Sequence, residues 1–227
     1  DGEGRKMSKS LGNTIDPLNI CKESGADILR LWASSVAYQS DFRISKEILT
    51  QISESYRKIR NTFRFMLGNL FDYDNTVNRV EYQNLGEVDQ YMVCRLNQII
   101  EKVHKAYNNY AFDEVYRTIL TFMTNDLSSF YLDFTKDILY IEKADSVARR
   151  SIQTVIYDVM MALVTLVTPL LPHTAEEVYQ HLPHHELESV YLCDMPHAVT
   201  NPNAAELLTK YAGFMTLRSD VLKALEA

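Results

Sequence analysis

The sequence has little glycine, proline or cysteine for its length, and each shortage narrows the range of folds. Seven glycines and six prolines among 227 residues are too few for the many turns of a β-sandwich or barrel. Long stretches therefore run without a turn signal, which favours helices. The hydrophobic residues, 46% of the chain, are enough to build a substantial core. We therefore predict a folded, mostly helical protein.

The cysteines and histidines give no sign of a metal or disulfide framework. Cys21, Cys94 and Cys193 are odd in number, far apart and without a C-x-x-C pair, so neither a zinc ribbon nor disulfides are indicated. We expect reduced thiols, as in a cytoplasmic protein. The histidines at positions 181, 184 and 185 lie close together in a predicted loop, but no acid or thiol follows at ligand spacing. No metal site is predicted.

Long apolar runs are also missing. None reaches the ~18 residues that span a bilayer, because polar residues interrupt the most apolar stretch, residues 155–171. No signal peptide opens the chain. It starts with Asp1 rather than Met, in a segment resembling the middle of a loop, so we expect a piece excised from a longer protein.

Positive charge is in deficit, and the formal net charge is −7. The whole molecule should repel a polyanion at long range, so a nucleic-acid partner would need a locally basic surface. Such a basic surface is possible if the acidic residues are concentrated elsewhere, as at Asp72, Asp74 and Glu81.

Apolar periodicity predicts an antiparallel helical bundle over residues 45–227, preceded by a loop and short connecting helices at 1–44. Asp16 is predicted to cap the first connecting helix, Gly25 to end it, and Asp27 to cap the next one. Ser45 is predicted to cap a long helix that runs to about residue 70. A second long helix is expected over about residues 88–107.

The rest of the bundle is predicted from the same two signals, apolar spacing and capping residues. Asp113 should cap a third long helix with Phe134 facing inward and a bend near residues 125–126, and Asp145 should open a fourth that ends before Pro169. Thr174 and Glu177 form a capping-box pattern for a short fifth helix. A short strand is predicted at residues 190–192, and a last helix at about 203–225.

The string K-M-S-K-S, residues 6–10, is the most informative in the chain. Lys6 and Lys9 supply two ammonium groups, Ser8 and Ser10 supply hydroxyls, and the flanking glycines allow close approach, which together suit a polyphosphate. A solvated basic loop is the alternative that residue types alone leave open.

The same string, followed by L-G-N, resembles the signature loop of class I aminoacyl-tRNA synthetases. The residues at 25–35 (GADILRLWASS), 57–65 (RKIRNTFRF), 126–145 and 170–177 (LLPHTAEE) are similar to the bacterial isoleucyl-tRNA synthetases and their helical anticodon-binding domain. The resemblance covers essentially the whole chain. An equivalent part of a valyl-tRNA synthetase and a stand-alone helical RNA-binding module are the alternatives.

The resemblance implies a set of roles. Residues 6–10, Lys6, Met7, Ser8, Lys9 and Ser10, would bind ATP, with Lys9 stabilising the triphosphate as pyrophosphate leaves and Lys6 assisting. The intact family members use ATP with Mg²⁺, isoleucine and tRNA(Ile), and we expect a cytoplasmic monomer. No H-x-G-H motif, editing insertion or zinc module occurs in this sequence, so we expect the chain alone to be inactive.

One helical face is the candidate RNA surface. Arg57, Arg60, Asn61 and Arg64 fall within an arc of about 100° on the first long helix. Guanidinium groups bind phosphates and stack on unpaired bases, which is the chemistry that an RNA partner needs. A solvated face is the alternative interpretation, and the resemblance favours tRNA binding.

Overall fold

Helices make up nearly all the regular structure of this computed structural model, which describes residues 1–226. They are α1 (Pro17–Ser24), α2 (Ala26–Ser35), α3 (Lys46–Asn69), α4 (Glu87–Asn108), α5 (Phe112–Thr121), α6 (Leu132–Ile141), α7 (Val147–Val167), α8 (Pro172–Gln180) and α9 (Ala204–Glu226). A π-helix, Phe122–Tyr131, joins α5 to α6 without a break. The described residues contain no strand. The prediction of a mostly helical bundle is confirmed.

Helix α7 lies at the centre of the bundle, with buried side chains on nearly every side. Among residues 1–226 it is the one helix long and apolar enough to cross a membrane, but 78% of its most apolar stretch is buried inside the fold. Its apolar surface is therefore covered by its neighbours, chiefly α3, α4, α6 and α8. The side chains of Ile28 and Leu31 from α2 join the same core.

Several helix ends are built as the sequence predicted. The Ser45 hydroxyl accepts the backbone N–H of Ile48 at 3.3 Å at the start of α3. The Asp16 carboxylate accepts that of Leu18 at 2.9 Å, next to Pro17 at the first helical position. Gly25, at φ 87°, ends α1 in a conformation that side chains other than glycine rarely adopt.

Other predicted caps were wrong. Helix α5 begins at Phe112, so Asp113 lies inside its first turn and pairs with Arg117. Ser146, not Asp145, caps α7, because its hydroxyl accepts the N–H of Arg149 at 3.2 Å. The N-cap of α2 is Gly25 rather than Asp27, whose carboxylate is used by another helix.

Three further predictions were wrong. The Thr174–Glu177 capping box does not form: α8 starts at Pro172, three residues earlier than a Thr174 cap would place it, and both side chains contact other helices. Residues Val190–Leu192 form a short 3-10 helix instead of a strand. Phe134 is 57% exposed, because the π-helix changes the helical phase after residues 125–126 and so turns α6 away from the predicted face.

Candidate nucleotide and nucleic-acid interface

The N-terminal loop is closed at its base by Asn13. The Asn13 side chain donates to the Asp1 carboxylate at 2.9 Å and accepts the backbone N–H of Ser8, also at 2.9 Å. Asp1 in addition binds the guanidinium of Arg5 at 3.0 Å. These contacts fix the two ends of residues 1–13 against each other, so the residues between them form a defined turn.

The K-M-S-K-S residues lie on the outer side of this turn. Ser8 caps a 3-10 turn, Lys9–Leu11, by accepting the N–H of Leu11 at 3.3 Å, and its hydroxyl lies 3.1 Å from that of Ser10. Gly12, at φ 65°, ends the turn. Lys6 and Lys9 are both exposed, and within residues 1–226 neither ammonium group takes part in an ion pair. The two ammonium groups therefore face solvent, where an anion can reach them.

The four predicted RNA-binding residues lie together on the exposed side of α3, but they differ in their surroundings. Arg57 pairs with Glu54 at 3.1 Å. Arg60 makes a two-pronged ion pair with Glu177, with N–O distances of 2.6 and 2.7 Å. The hydrogen bonds that Arg60 donates to the Glu177 carboxylate raise the pKa of Arg60 further above its ordinary value, against a smaller opposing effect of burial.

Asn61 instead opens onto a cleft between α3, the π-helix and α6. The cleft has a volume of about 520 Å³, within the range of small-ligand sites. Lys58, Phe65 and Lys136 line it together with Asp133, which pairs with Lys136 at 2.7 Å. Asn61 lines both this cleft and an adjoining hollow of about 410 Å³.

That adjoining hollow adds a guanidinium and a second aromatic ring to the same surface. Arg64 and Tyr140 line it together with Asn61 and Phe65, and Tyr140 is 65% exposed. Cations beside accessible aromatic faces and amide groups are what unpaired nucleotides require. Sequence reasoning missed Lys58, although it stands beside Arg57 in the same helical segment. It also missed Tyr140, because nothing in a pattern shows that α6 packs near α3.

The described part of the chain has no group of three or more His, Cys, Asp or Glu side chains placed to hold a metal ion. Histidines 181, 184 and 185 follow α8 without converging. His181 contacts the backbone carbonyl of Glu177 at 2.7 Å, and His185 lies 3.3 Å from the Gln180 carboxamide.

Comparison with known families agrees with this architecture. The family described as "Anticodon-binding domain of tRNA ligase" matches residues 89–227, and the family "tRNA synthetases class I (I, L, M and V)" matches residues 1–45. The first match covers more than half of the chain. The chain therefore belongs to the anticodon-binding domain family of tRNA ligases.

Individual relatives narrow the resemblance. The chain is 58% identical over 226 residues to isoleucine–tRNA ligase of Bacillus subtilis and 61% identical over 226 residues to that of Bacillus cereus strain B4264. Both alignments cover 100% of this chain but 24% of the relative, so the chain spans about a quarter of their length. The predicted resemblance to isoleucyl-tRNA synthetases is confirmed, and the valyl alternative is less well supported.

Solved structures show the same fold at low sequence identity. A leucyl-tRNA synthetase of Agrobacterium radiobacter K84, in a ternary complex, superposes with a TM-score of 0.68 at 20% identity, covering 87% of this chain and 23% of that one. A methionyl-tRNA synthetase of Mycobacterium tuberculosis gives 0.63 at 20% identity, covering 78% and 35%. These likenesses concern the fold alone.

Proposed function

We propose that the chain is the part of an isoleucine–tRNA ligase that closes over the phosphates of ATP and binds tRNA(Ile). The observation that carries the proposal is identity of 58–61% to such ligases along the whole chain, with the K-M-S-K-S loop intact. In the parent enzyme the isoleucine carboxylate attacks the α-phosphate of ATP, pyrophosphate leaves, and the aminoacyl group then passes to tRNA. The parent acts as a cytoplasmic monomer.

The loop supports the first of these steps by electrostatics. Lys9 stabilises the negative charge that develops on the leaving pyrophosphate, and Lys6 binds the same phosphates in the ground state. Met7, Ser8 and Ser10 contribute backbone and hydroxyl donors. The position of these groups on an exposed turn supports the proposal, since a loop that closes over ATP excludes water from the reaction.

Magnesium would arrive on the triphosphate, where it neutralises part of the phosphate charge. The loop's own acids do not fit a metal site. Asp1 and Glu3 are both paired with Arg5, at 3.0 and 3.2 Å. We therefore assign no residue of this chain to the ion.

The bundle binds the RNA through the exposed side of α3. Arg57, Arg60 and Arg64 contact phosphates, and Asn61 contacts a base edge. The cleft beside Asn61 accommodates an unpaired base of the anticodon region. The cations of this surface are grouped on one side of α3, whereas the acids Asp72 and Asp89 are bound elsewhere within the fold by Arg149 and Tyr131.

The surface is tested by the salt dependence of tRNA binding. Changing Arg57, Arg60 and Arg64 together to Ala should lower the slope of log affinity against log salt by about two to three units, since each lost phosphate contact contributes roughly 0.7–0.9. Affinity of this chain for a tRNA(Ile) transcript, measured by fluorescence anisotropy over a range of salt concentration, gives the slope.

A charge-matched control uses three cations from α4 and α5. Changing Lys102, Lys105 and Arg117 to Ala removes the same formal charge, and the slope should then stay close to that of the unmodified chain. Equal slopes for both triple variants would reject α3 as the RNA surface.

The chain by itself should not catalyse isoleucine-dependent exchange of pyrophosphate into ATP. The K-M-S-K-S loop supplies one side of the phosphate site, and the sequence has no H-x-G-H motif for the nucleotide itself. The expected rate equals that of the same mixture without isoleucine. Exchange above that background would show that this quarter of the parent is sufficient for amino-acid activation.

A further inference from the structure

The predicted RNA-binding residue Arg60 already forms an ion pair in the free chain. Glu177 of α8 presents its two carboxylate oxygens to the guanidinium at 2.6 and 2.7 Å, the geometry in which arginine also binds a phosphate. The two side chains are 45% and 49% exposed. An exposed pair of this kind contributes little to stability, so another anion can displace its carboxylate.

A directed series of hydrogen bonds runs inward from this pair. Thr174, one turn before Glu177, donates its hydroxyl to the Asp27 carboxylate at 2.6 Å. Because that donation uses its only hydroxyl hydrogen, the Tyr56 hydroxyl, 2.9 Å away, must donate to Thr174. The Tyr56 oxygen in turn accepts from Arg60 at 3.4 Å. Every group therefore donates toward Asp27.

Asp27, on α2, caps the N-terminus of α8. Leu171, at the N-cap position of α8, offers no side-chain hydrogen bond. The Asp27 carboxylate accepts the backbone N–H of Thr174 at 2.7 Å in its place. A negative charge at this end of a helix also interacts favourably with the helix dipole. Asp27 is 6% exposed, and its second oxygen has no hydrogen-bond partner within residues 1–226.

Helix α2 holds the neighbouring corner as well. One turn after Asp27, Arg30 donates to the backbone carbonyls of Leu170 at 3.1 Å and Pro169 at 2.7 Å. Helix α2 thus contacts the segment that follows α7 and the start of α8 through two opposite charges. Helix α2, one of the connecting helices that follow the K-M-S-K-S loop, is therefore attached to the same short helix that carries Glu177.

We propose that the Glu177 carboxylate binds the Arg60 guanidinium in the free chain at the position that an RNA phosphate takes in the complex. Bound tRNA displaces Glu177 and so loosens the contact between α8 and Asp27. The inference rests on the proposed tRNA-binding function. In the free chain α8 is held by α3 through Arg60 and by α2 through Asp27. Once a phosphate takes Arg60, α8 loses its ion pair with α3, while its packing against α7 and the Tyr56–Thr174 hydrogen bond remain. The contact between Asp27 and the start of α8 then becomes sensitive to bound RNA.

Two glutamates side by side on α8 provide a matched test. Glu177→Gln removes the competitor of the phosphate, whereas Glu176→Gln removes the same charge one residue away. Glu176 does not contact Arg60; it binds Ser189 and Val190 at 2.8 and 3.0 Å. Affinity of the whole chain for a tRNA(Ile) transcript should rise about fivefold more in Glu177→Gln than in Glu176→Gln, a modest coupling between two sites.

The exchange rate of the Thr174 amide reports the second half of the proposal. In the unmodified chain, saturating tRNA should speed hydrogen exchange of this amide about fivefold, because α8 loses its ion pair with α3. In Glu177→Gln the rate should already be high and should not respond to tRNA. In Glu176→Gln it should respond as in the unmodified chain.

The outcomes separate this inference from the function on which it rests. Equal affinities of the two glutamine variants, or a Thr174 amide that ignores tRNA in the unmodified chain, would overturn the displacement of Glu177 while leaving tRNA binding intact. Failure of the unmodified chain to bind the transcript would overturn the proposed function and this inference together. Circular dichroism of both variants checks that α8 is retained.

Discussion

Replacing Lys9 with Ala in the full-length parent ligase should slow formation of isoleucyl adenylate by about 10²–10³-fold. Removing one preorganised donor that acts on transition-state charge costs roughly 3–4 kcal/mol. The Lys9 ammonium is exposed on the turn that Ser8 and Gly12 define, so its removal leaves the fold unchanged. Isoleucine binding should change little, because the effect falls on the leaving pyrophosphate rather than on the amino acid. Pre-steady-state measurement of adenylate formation, with the isoleucine Kd from the same data, gives both values.

Lys22→Ala is the matched control for this experiment. Lys22 is an exposed lysine on α1, close in sequence to the loop but outside the K-M-S-K-S string. Its loss should leave adenylate formation within a factor of about two, as for surface substitutions in general. If Lys9→Ala weakened isoleucine binding as strongly as it slowed the reaction, Lys9 would not be acting on the leaving group.

Replacing Asp72 with Ala should lower the free energy of unfolding by about 3–5 kcal/mol. Asp72 lies after α3 and accepts two hydrogen bonds from Arg149, at 2.6 and 3.0 Å, and one from Gln153 at 2.8 Å. The Arg149 side chain is 8% exposed, so the substitution would leave a buried guanidinium without its counter-charge. Urea unfolding of the chain, followed by circular dichroism, measures the loss.

Asp133→Ala tests whether the effect depends on burial. Asp133 pairs with Lys136 at 2.7 Å on the surface of α6, where the two side chains are 60% and 48% exposed. The expected loss is below about 1 kcal/mol. Comparable losses for the two alanine variants would show that Asp72 does not owe its effect to the buried arginine.

The Asp72 pair should also make the fold sensitive to acid. Burial alone would raise the pKa of Asp72, but the hydrogen bonds from Arg149 and Gln153 outweigh it and hold the pKa below its ordinary value. The pair therefore contributes fully above the ordinary aspartate pKa of ~3.9. Its contribution is lost as the pH falls through the lower pKa of the folded state, and Asp72→Ala should lack this part of the acid response.

Much of the fold could be predicted because the long helices carry their own signals. The apolar stripe of α3 and the Ser45 cap lie in one continuous segment, and local spacing is enough to place them. The K-M-S-K-S loop could be predicted for the same reason, since its lysines, serines and glycines are neighbours in sequence. Long periodic segments and contiguous motifs need no knowledge of tertiary packing.

Contacts between distant segments were beyond such reasoning. Thr174 and Glu177 have the spacing of a capping box, yet each is used by a helix more than 100 residues away in sequence. Asp27 was predicted to cap its own helix because it lies next to that helix in sequence, but its carboxylate binds Thr174 of α8. A local pattern shows which groups can donate and accept, but tertiary packing decides which partner is nearest.

The π-helix has a consequence for the kinds of change that the chain can accept. Its backbone hydrogen bonds reach one residue further than those of an α-helix, so Phe122–Tyr131 contains extra length within its turns. Deleting one residue there would permit ordinary α-helical pairing, and the tighter winding of the α-helical turns would largely offset the ~100° of rotation that the missing residue supplied. Lys136 and Tyr140 would then stay on the side of α6 that lies beside Phe65. A one-residue gap in homologous sequences is therefore expected within this segment, whereas a gap inside α3 or α7, which contain no such extra length, would rotate every helical residue that follows it.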